Sequence, residues 1–206
     1  SLLIVITIFL LLSLQRKDKS MVLVLTILVG TLVSFKAYGA VLILLTLLLV
    51  GILKKNLKYL ILFTSSSVLS ALLLLSNFSL GQKLIIFSPF WFIHSMIDSP
   101  DRVGWERLSL ARVAGYETKN YFKLITAEAA SFFIFVIGNM GMRFFALLSI
   151  FKFKKIFTDI NFFTLFIFSV LSLSIPILFI QAGNPWNTIQ FMYYFLYLSA
   201  IVGGIF

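Results

Sequence analysis

Long apolar runs separated by short polar breaks set the pattern of this chain. The run from Met21 to Leu53 is 33 residues long and carries a single charge, Lys36, near its middle. A helix needs about 20 apolar residues to cross about 30 Å of hydrocarbon. The run is therefore too long for one span and barely long enough for two. It predicts a tight helical hairpin whose turn is Ser34-Phe35-Lys36-Ala37-Tyr38-Gly39. Such a turn would hold Lys36 and Tyr38 in a shallow recess at the bilayer surface. A cation at that depth is costly and is a candidate functional group by default.

Seven apolar segments follow from the same reading: 1–14 (partial), 21–35, 37–53, 57–75, 122–151, 160–180 and 188–206. The expected fold is all-α, a polytopic transmembrane bundle forming one membrane domain over residues 1–206. Segment 83–97 is apolar but short, aromatic and broken by Pro89. It fits an interfacial or re-entrant helix better than a span, inside a long polar-flanked connection at 76–121. The first run is only 14 residues, with no starting methionine and no basic leader, so it reads as the end of a truncated span. The chain also stops within an apolar run. Both features are expected of a piece of a longer protein.

Composition agrees with this reading, since 61% of the 206 residues are hydrophobic and 12% are charged. A soluble domain of this size has no need of so much apolar surface. The net charge of +10 does not indicate nucleic acid as a partner, because nine of the cations sit in short clusters between apolar runs. They are Arg16, Lys17 and Lys19, then Lys54, Lys55 and Lys58, then Lys152, Lys154 and Lys155. By the positive-inside rule these connections are cytoplasmic. The Lys36 turn, the 76–121 segment and the 181–187 loop then face outward. The expected location is the inner (cytoplasmic) membrane, with the functional loops extracytoplasmic. Cysteine is absent and histidine occurs once, at His94. This excludes a disulfide framework and a lone-histidine zinc site. There is no phosphate-binding loop of the G-x-x-x-x-G-K-S/T type. No cofactor is evident, and a divalent metal requirement is left open.

Chemically capable residues gather in the outward connections. Ser99 as N-cap and Pro100 at the first position predict a helix from about residue 100 to Gly115, with Arg102 and Glu106 four apart on one face. Trp105 and Leu108 would dip toward the membrane. Arg102, Arg107 and Arg112 offer guanidinium forks for a phosphate at headgroup level. Surface ion pairs and lipid contacts account for the same arginines more plainly. Asp98 and Asp101 read first as helix-end residues. In the second outward loop, Asn184, Trp186, Asn187 and Gln190 combine amides with an aromatic plane, followed by Tyr193, Tyr194 and Tyr197. Hydroxyls on amides and ring faces on aromatics suit a sugar, while an interfacial aromatic belt is the plainer alternative. Glu128, Asn139 and Arg143 lie in the 122–151 segment. Asn139 and Arg143, flanked by Gly138 and Gly141, are expected to bind helix to helix. His94 is expected to anchor at the interface, with proton transfer as the lesser alternative. Asn77-Phe78-Ser79 matches a glycosylation acceptor.

Three stretches carry a family likeness: Ser34 to Gly39; Ser99-Pro100-Asp101-Arg102-Val103-Gly104-Trp105-Glu106-Arg107-Leu108; and Gly183-Asn184-Pro185-Trp186-Asn187-Thr188-Ile189-Gln190-Phe191-Met192-Tyr193-Tyr194-Phe195. Together they resemble parts of multi-pass bacterial membrane proteins similar to C-type glycosyltransferases, the superfamily that includes protein O-mannosyltransferases. The Gly-Asn-Pro-Trp-Asn run is the most specific piece. The resemblance implies a polyprenyl-phosphate sugar as donor and a protein, lipid or glycan as acceptor, with an inverting transfer on the outer face. The family's acidic catalytic residue follows its first span, and no residue of this chain inherits that role. The candidate substrate-binding residues, taken from their clustering in the outward connections, are Lys36, Tyr38, Arg102, Arg107, Arg112, Asn184, Trp186, Asn187 and Gln190. A transporter or flippase for a lipid or small anion, with Asn139 and Arg143 and then Thr64, Ser65, Ser66, Ser67 and Ser70 as its few deep polar groups, is the rival expectation. A non-catalytic membrane subunit is the third.

Overall fold

A computed structural model describes residues 19–74, 85–143 and 153–203. Helices dominate it: α1 (Lys19–Phe35), α2 (Ala37–Leu53), α3 (Leu57–Leu74), α4 (Trp91–Asp98), α5 (Glu106–Glu117), α6 (Tyr121–Met140), α7 (Phe153–Thr158), α8 (Ile160–Leu178) and α9 (Ile189–Gly203). The strands β1 (Ile85–Phe87) and β2 (Phe179–Gln181) are three residues each. Three helices, Leu57–Leu74, Tyr121–Arg143 and Ile160–Leu178, are long and apolar enough to cross a membrane. Helices α1 and α2 are apolar but shorter, at 17 residues each. That length is about 25 Å at 1.5 Å per residue. The segment expected at 1–14, the first basic cluster apart from Lys19, and the Asn77 acceptor lie outside the described residues.

The chain divides into two compact units, residues 1–82 with 152–172, and residues 83–151 with 173–206. Each is described separately.

In the first unit, α1, α2 and α3 pack on one another. A single residue, Lys36, separates α1 from α2. Its N–H donates to Leu32 O at 2.8 Å and its carbonyl accepts from Ala40 N at 3.1 Å, so the hairpin turns with few unsatisfied backbone groups. The α1–α3 seam is built from small and hydroxyl-bearing residues. A Cβ placed on Gly30 would stand 2.6–2.9 Å from the Leu69 side chain, so the helices meet at glycine distance. Ser70 donates to Gly30 O at 3.0 Å, and Thr26 and Ser65 share a hydroxyl bond at 2.9 Å. In lipid, where apolar burial drives little helix association, such close approach and hydroxyl bonding hold helices together. The buried Tyr59 hydroxyl meets Thr164 Oγ1 at 3.3 Å and ties α3 to the start of α8. Lys54, past the end of α2, lies 4.2 Å from the Phe163 ring centroid and donates to Phe157 O.

In the second unit, α4, α5, α6 and α9 surround a core of Phe92, Ile93, Ile97, Phe135, Val136, Met140, Ile177, Met192 and Phe195. The strands pair antiparallel, Ile85 opposite Gln181 and Phe87 opposite Phe179. The chain then turns back, and Ser88 N and Phe90 N donate to Leu178 O and Ile177 O at 2.9 and 2.7 Å. These bonds satisfy carbonyls left open where α8 ends, two residues after its internal Pro176. Of the segment expected at 83–97, the described residues from 85 on form a strand, a turn and the short helix α4.

The helix expected from residue 100 begins six residues later, at Glu106. Residues 99–105 instead wrap the end of α4. Val103 N and Trp105 N donate to Met96 O and Ile97 O at 3.1 and 3.0 Å. Gly104 makes the wrap possible with φ +56°, a conformation L side chains rarely adopt. Arg102 thus precedes the helix and does not share a helical face with Glu106. Gly115 does not stop α5 either. It is buried inside the helix, and a Cβ there would stand 2.9 Å from Leu124 N of α6. Among the described residues, a Cβ on Gly138 or Gly141 meets nothing within 4 Å. Asn139 donates to Phe135 O of its own helix at 2.8 Å.

Candidate functional site

Helix α4 organises the site because its two faces differ. Phe92, Ile93 and Ile97 are buried in the core. Trp91, His94 and Asp98, spaced three and four apart, form the opposite stripe. Each member of the stripe engages a different element. Trp91 meets Trp186 edge-on at 5.3 Å between ring centroids. His94 Nε2 lies 2.9 and 2.8 Å from the two carboxylate oxygens of Glu128 on α6. Asp98 accepts from Arg112 of α5 at 2.6 Å.

Trp186 is the centre of the aromatic part. It stands in the 3₁₀ turn Pro185–Thr188, between β2 and α9. Phe92 approaches it edge-on at 5.4 Å. The Arg102 guanidinium carbon lies 3.9 Å from the Trp186 ring centroid. A stacked guanidinium is held by its face and keeps its N–H edge for a ligand. Arg102 also reaches Met96 Sδ at 3.1 Å, with Asp101 at 3.9 Å. The 3₁₀ turn is fixed from behind by Thr188, which is buried and accepts the Gln181 N–H at 2.9 Å. Asn184 and Trp186 are exposed, and Asn187 and Gln190 are half-buried. Tyr193 and Tyr197 are exposed on α9.

The structure therefore brings Arg102 and Trp186 into contact and places Asn184, Asn187 and Gln190 in or next to the same turn. Arg112 belongs to the same unit but is committed to Asp98. Arg107 is exposed and five residues from Arg112, which puts the two on different faces of α5. The three arginines do not form one cluster. Lys36 and Tyr38 lie in the first unit, where Lys36 is exposed and Tyr38 is half-buried.

Two features went unread in the sequence. The His94–Glu128 pair joins residues 34 apart, each side chain about a quarter exposed. The usable signal was the chain's one histidine facing an acid near the start of a span. Thr188 carried no local signal, because its partner is a backbone N–H across the loop. Among the described residues, no group of three His, Cys, Asp or Glu side chains is placed to hold a metal. Comparison with protein-family models, curated proteins and solved structures gives no match.

Proposed function

We propose that the second unit is the donor-binding part of a membrane glycosyltransferase that takes a sugar from a polyprenyl-phosphate carrier. In this reading the sugar passes to a protein, lipid or glycan acceptor on the extracytoplasmic face of the inner membrane, within a bundle of about seven spans. The observation that carries the reading is the Arg102 guanidinium stacked on Trp186. A fixed cation with N–H donors beyond those turned to Met96 and Asp101, beside an exposed aromatic turn, suits a phosphate joined to a sugar. During transfer, charge grows on the leaving phosphate, and a preorganised cation lowers the barrier there. Asn184, Asn187 and Gln190 supply amides for sugar hydroxyls. The resemblance of the Gly183–Phe195 stretch to C-type glycosyltransferases points the same way.

The transporter reading has less support. Thr64, Ser65 and Ser70 donate to backbone carbonyls of α3 or α1, and Thr46, Ser131 and Ser172 each bond the carbonyl four residues earlier. These hydroxyl hydrogens are already given to helix backbone, one of them across the α1–α3 seam.

The test uses the full-length protein in membrane vesicles with a polyprenyl-phosphate carrying a radiolabelled hexose. Wild type should transfer label, and Arg102→Ala should transfer about tenfold less, from loss of a charged hydrogen bond. Undiminished transfer by both Arg102→Ala and Trp186→Ala would overturn the assignment.

A further inference from the structure

We propose that two hairpin turns, one in each unit, are anchoring points for anionic phospholipid, with Lys55 and Lys119 as the groups that take the lipid phosphate. The proposal does not depend on sugar transfer.

The two turns are built alike. The stretch 51–61 joins α2 to α3, and the stretch 115–125 joins α5 to α6. Gly51, Lys55, Asn56, Leu60 and Ile61 of the first recur in the second, at the same spacing, as Gly115, Lys119, Asn120, Leu124 and Ile125. The shared residues do the same work. The asparagine N–H donates to the glycine carbonyl, at 2.9 Å in the first turn and 3.0 Å in the second. The lysine N–H donates to Ile52 O in one and to Tyr116 O in the other, at 3.2 Å in both. The asparagine Oδ1 accepts a backbone N–H of the next helix, from Lys58 and from Lys123, at 3.1 Å in both. A Cβ on the glycine would stand 2.6 Å from the nearest atom of Leu60 in the first turn and 2.9 Å from that of Leu124 in the second.

These bonds and contacts explain the glycine, the asparagine and the leucine, but not the lysine. Lys55 and Lys119 lie in the left-handed region, at φ +49° and +52°. Glycine takes that conformation freely and asparagine more readily than most residues. A lysine there weakens the turn, so the position is held for its side chain. Both lysines are exposed, and neither side chain makes a hydrogen bond or ion pair among the described residues. Lys54, by contrast, is tied to Phe157 O and the Phe163 ring.

The surroundings identify the partner. Each turn opens a helix long and apolar enough to cross a membrane, Leu57–Leu74 in one case and Tyr121–Arg143 in the other. Each lysine therefore stands where such a span leaves the hydrocarbon. The residues that follow are apolar and uncovered, Leu57 being 72% exposed, Tyr121 69% and Phe122 80%. Such side chains beside a cation suit the headgroup layer, where the apolar part meets acyl chains and the ammonium reaches phosphate. Lys58 and Lys123 are exposed as well, and Glu117 is the one acid in either stretch. Each turn thus carries net positive charge, which favours an anionic headgroup over a zwitterionic one.

A lysine that merely fills the turn is the competing role, and glycine separates the two. Lys55→Gly and Lys119→Gly suit the backbone and remove the charge. The probe is phosphatidylglycerol added to the full-length protein in detergent, with phosphatidylcholine as the control. The readout is the rise in thermal midpoint with lipid concentration. Wild type should respond to phosphatidylglycerol at lower concentration than to phosphatidylcholine. Without lipid, each glycine variant should melt at or above wild type. Each should need about fivefold more phosphatidylglycerol for the same rise, the equivalent of about 1 kcal/mol per surface lysine, and the double variant more still. A double variant with the wild-type response to phosphatidylglycerol would overturn the proposal, as would a wild type that responds equally to the two lipids.

Discussion

Gly115 and Gly138 are both helical glycines, yet the same change at each should act in opposite directions. On helix propensity alone, Gly→Ala in a helix interior gains about 1 kcal/mol. At Gly138 the added methyl meets nothing within 4 Å among the described residues, so that gain should appear nearly whole. At Gly115 the methyl would stand 2.9 Å from Leu124 N and 3.0 Å from Leu124 Cα. Those atoms are backbone and cannot rotate away. Helix α6 would have to withdraw by about half an ångström, an overpacking of the kind that costs about 1–3 kcal/mol. The net expectation for Gly115→Ala is a loss of up to about 2 kcal/mol. The assay is the temperature at which purified protein in detergent loses its monodisperse peak, measured for wild type and both variants. The order expected is Gly138→Ala at or above wild type, and Gly115→Ala clearly below it. Equal midpoints for the two variants would refute the close α5–α6 approach.

Two further changes test the supports of the site. Thr188→Val removes the acceptor of the Gln181 N–H and should cost about 1–3 kcal/mol, with faster amide exchange at Gln181; unchanged exchange there would contradict the bond. Asn120 caps α6 by accepting the Lys123 N–H at 3.1 Å, so Asn120→Ala should lose about 1 kcal/mol while Asn120→Asp keeps it. Identical thermal midpoints for the Ala and Asp variants would argue against that cap.

Helix ends were legible where charge or glycine flanks a continuous apolar run. Helix α2 occupies residues 37–53 as the Lys36 and Lys54 boundaries require, and α8 starts at Ile160 just past Asp159. In an apolar environment, run length matters more than periodicity, and length can be read locally. What could not be read depends on distant partners. The capping rule placed a helix start at Ser99, but the carbonyls at the end of α4 recruit Val103 N and Trp105 N, and the helix is delayed. The β1–β2 pair, the Thr188–Gln181 bond and the His94–Glu128 pair each join segments with no shared local pattern. Arg102 and Trp186 were both legible as candidates from their neighbours in sequence. Their stacking was not, because it depends on the wrap of residues 99–105 bringing the arginine back over the turn.

We propose the Arg102–Trp186 pair as an anion site for a lipid-borne phosphate. Binding of a short polyprenyl phosphate and of the matching polyprenol to the full-length protein in detergent tests it directly. The phosphate should bind and the alcohol should bind far more weakly. Arg102→Ala should weaken phosphate binding by about tenfold or more, the equivalent of about 1.5 kcal/mol for one charged hydrogen bond. Equal affinity for phosphate and alcohol, unchanged by Arg102→Ala, would contradict the account.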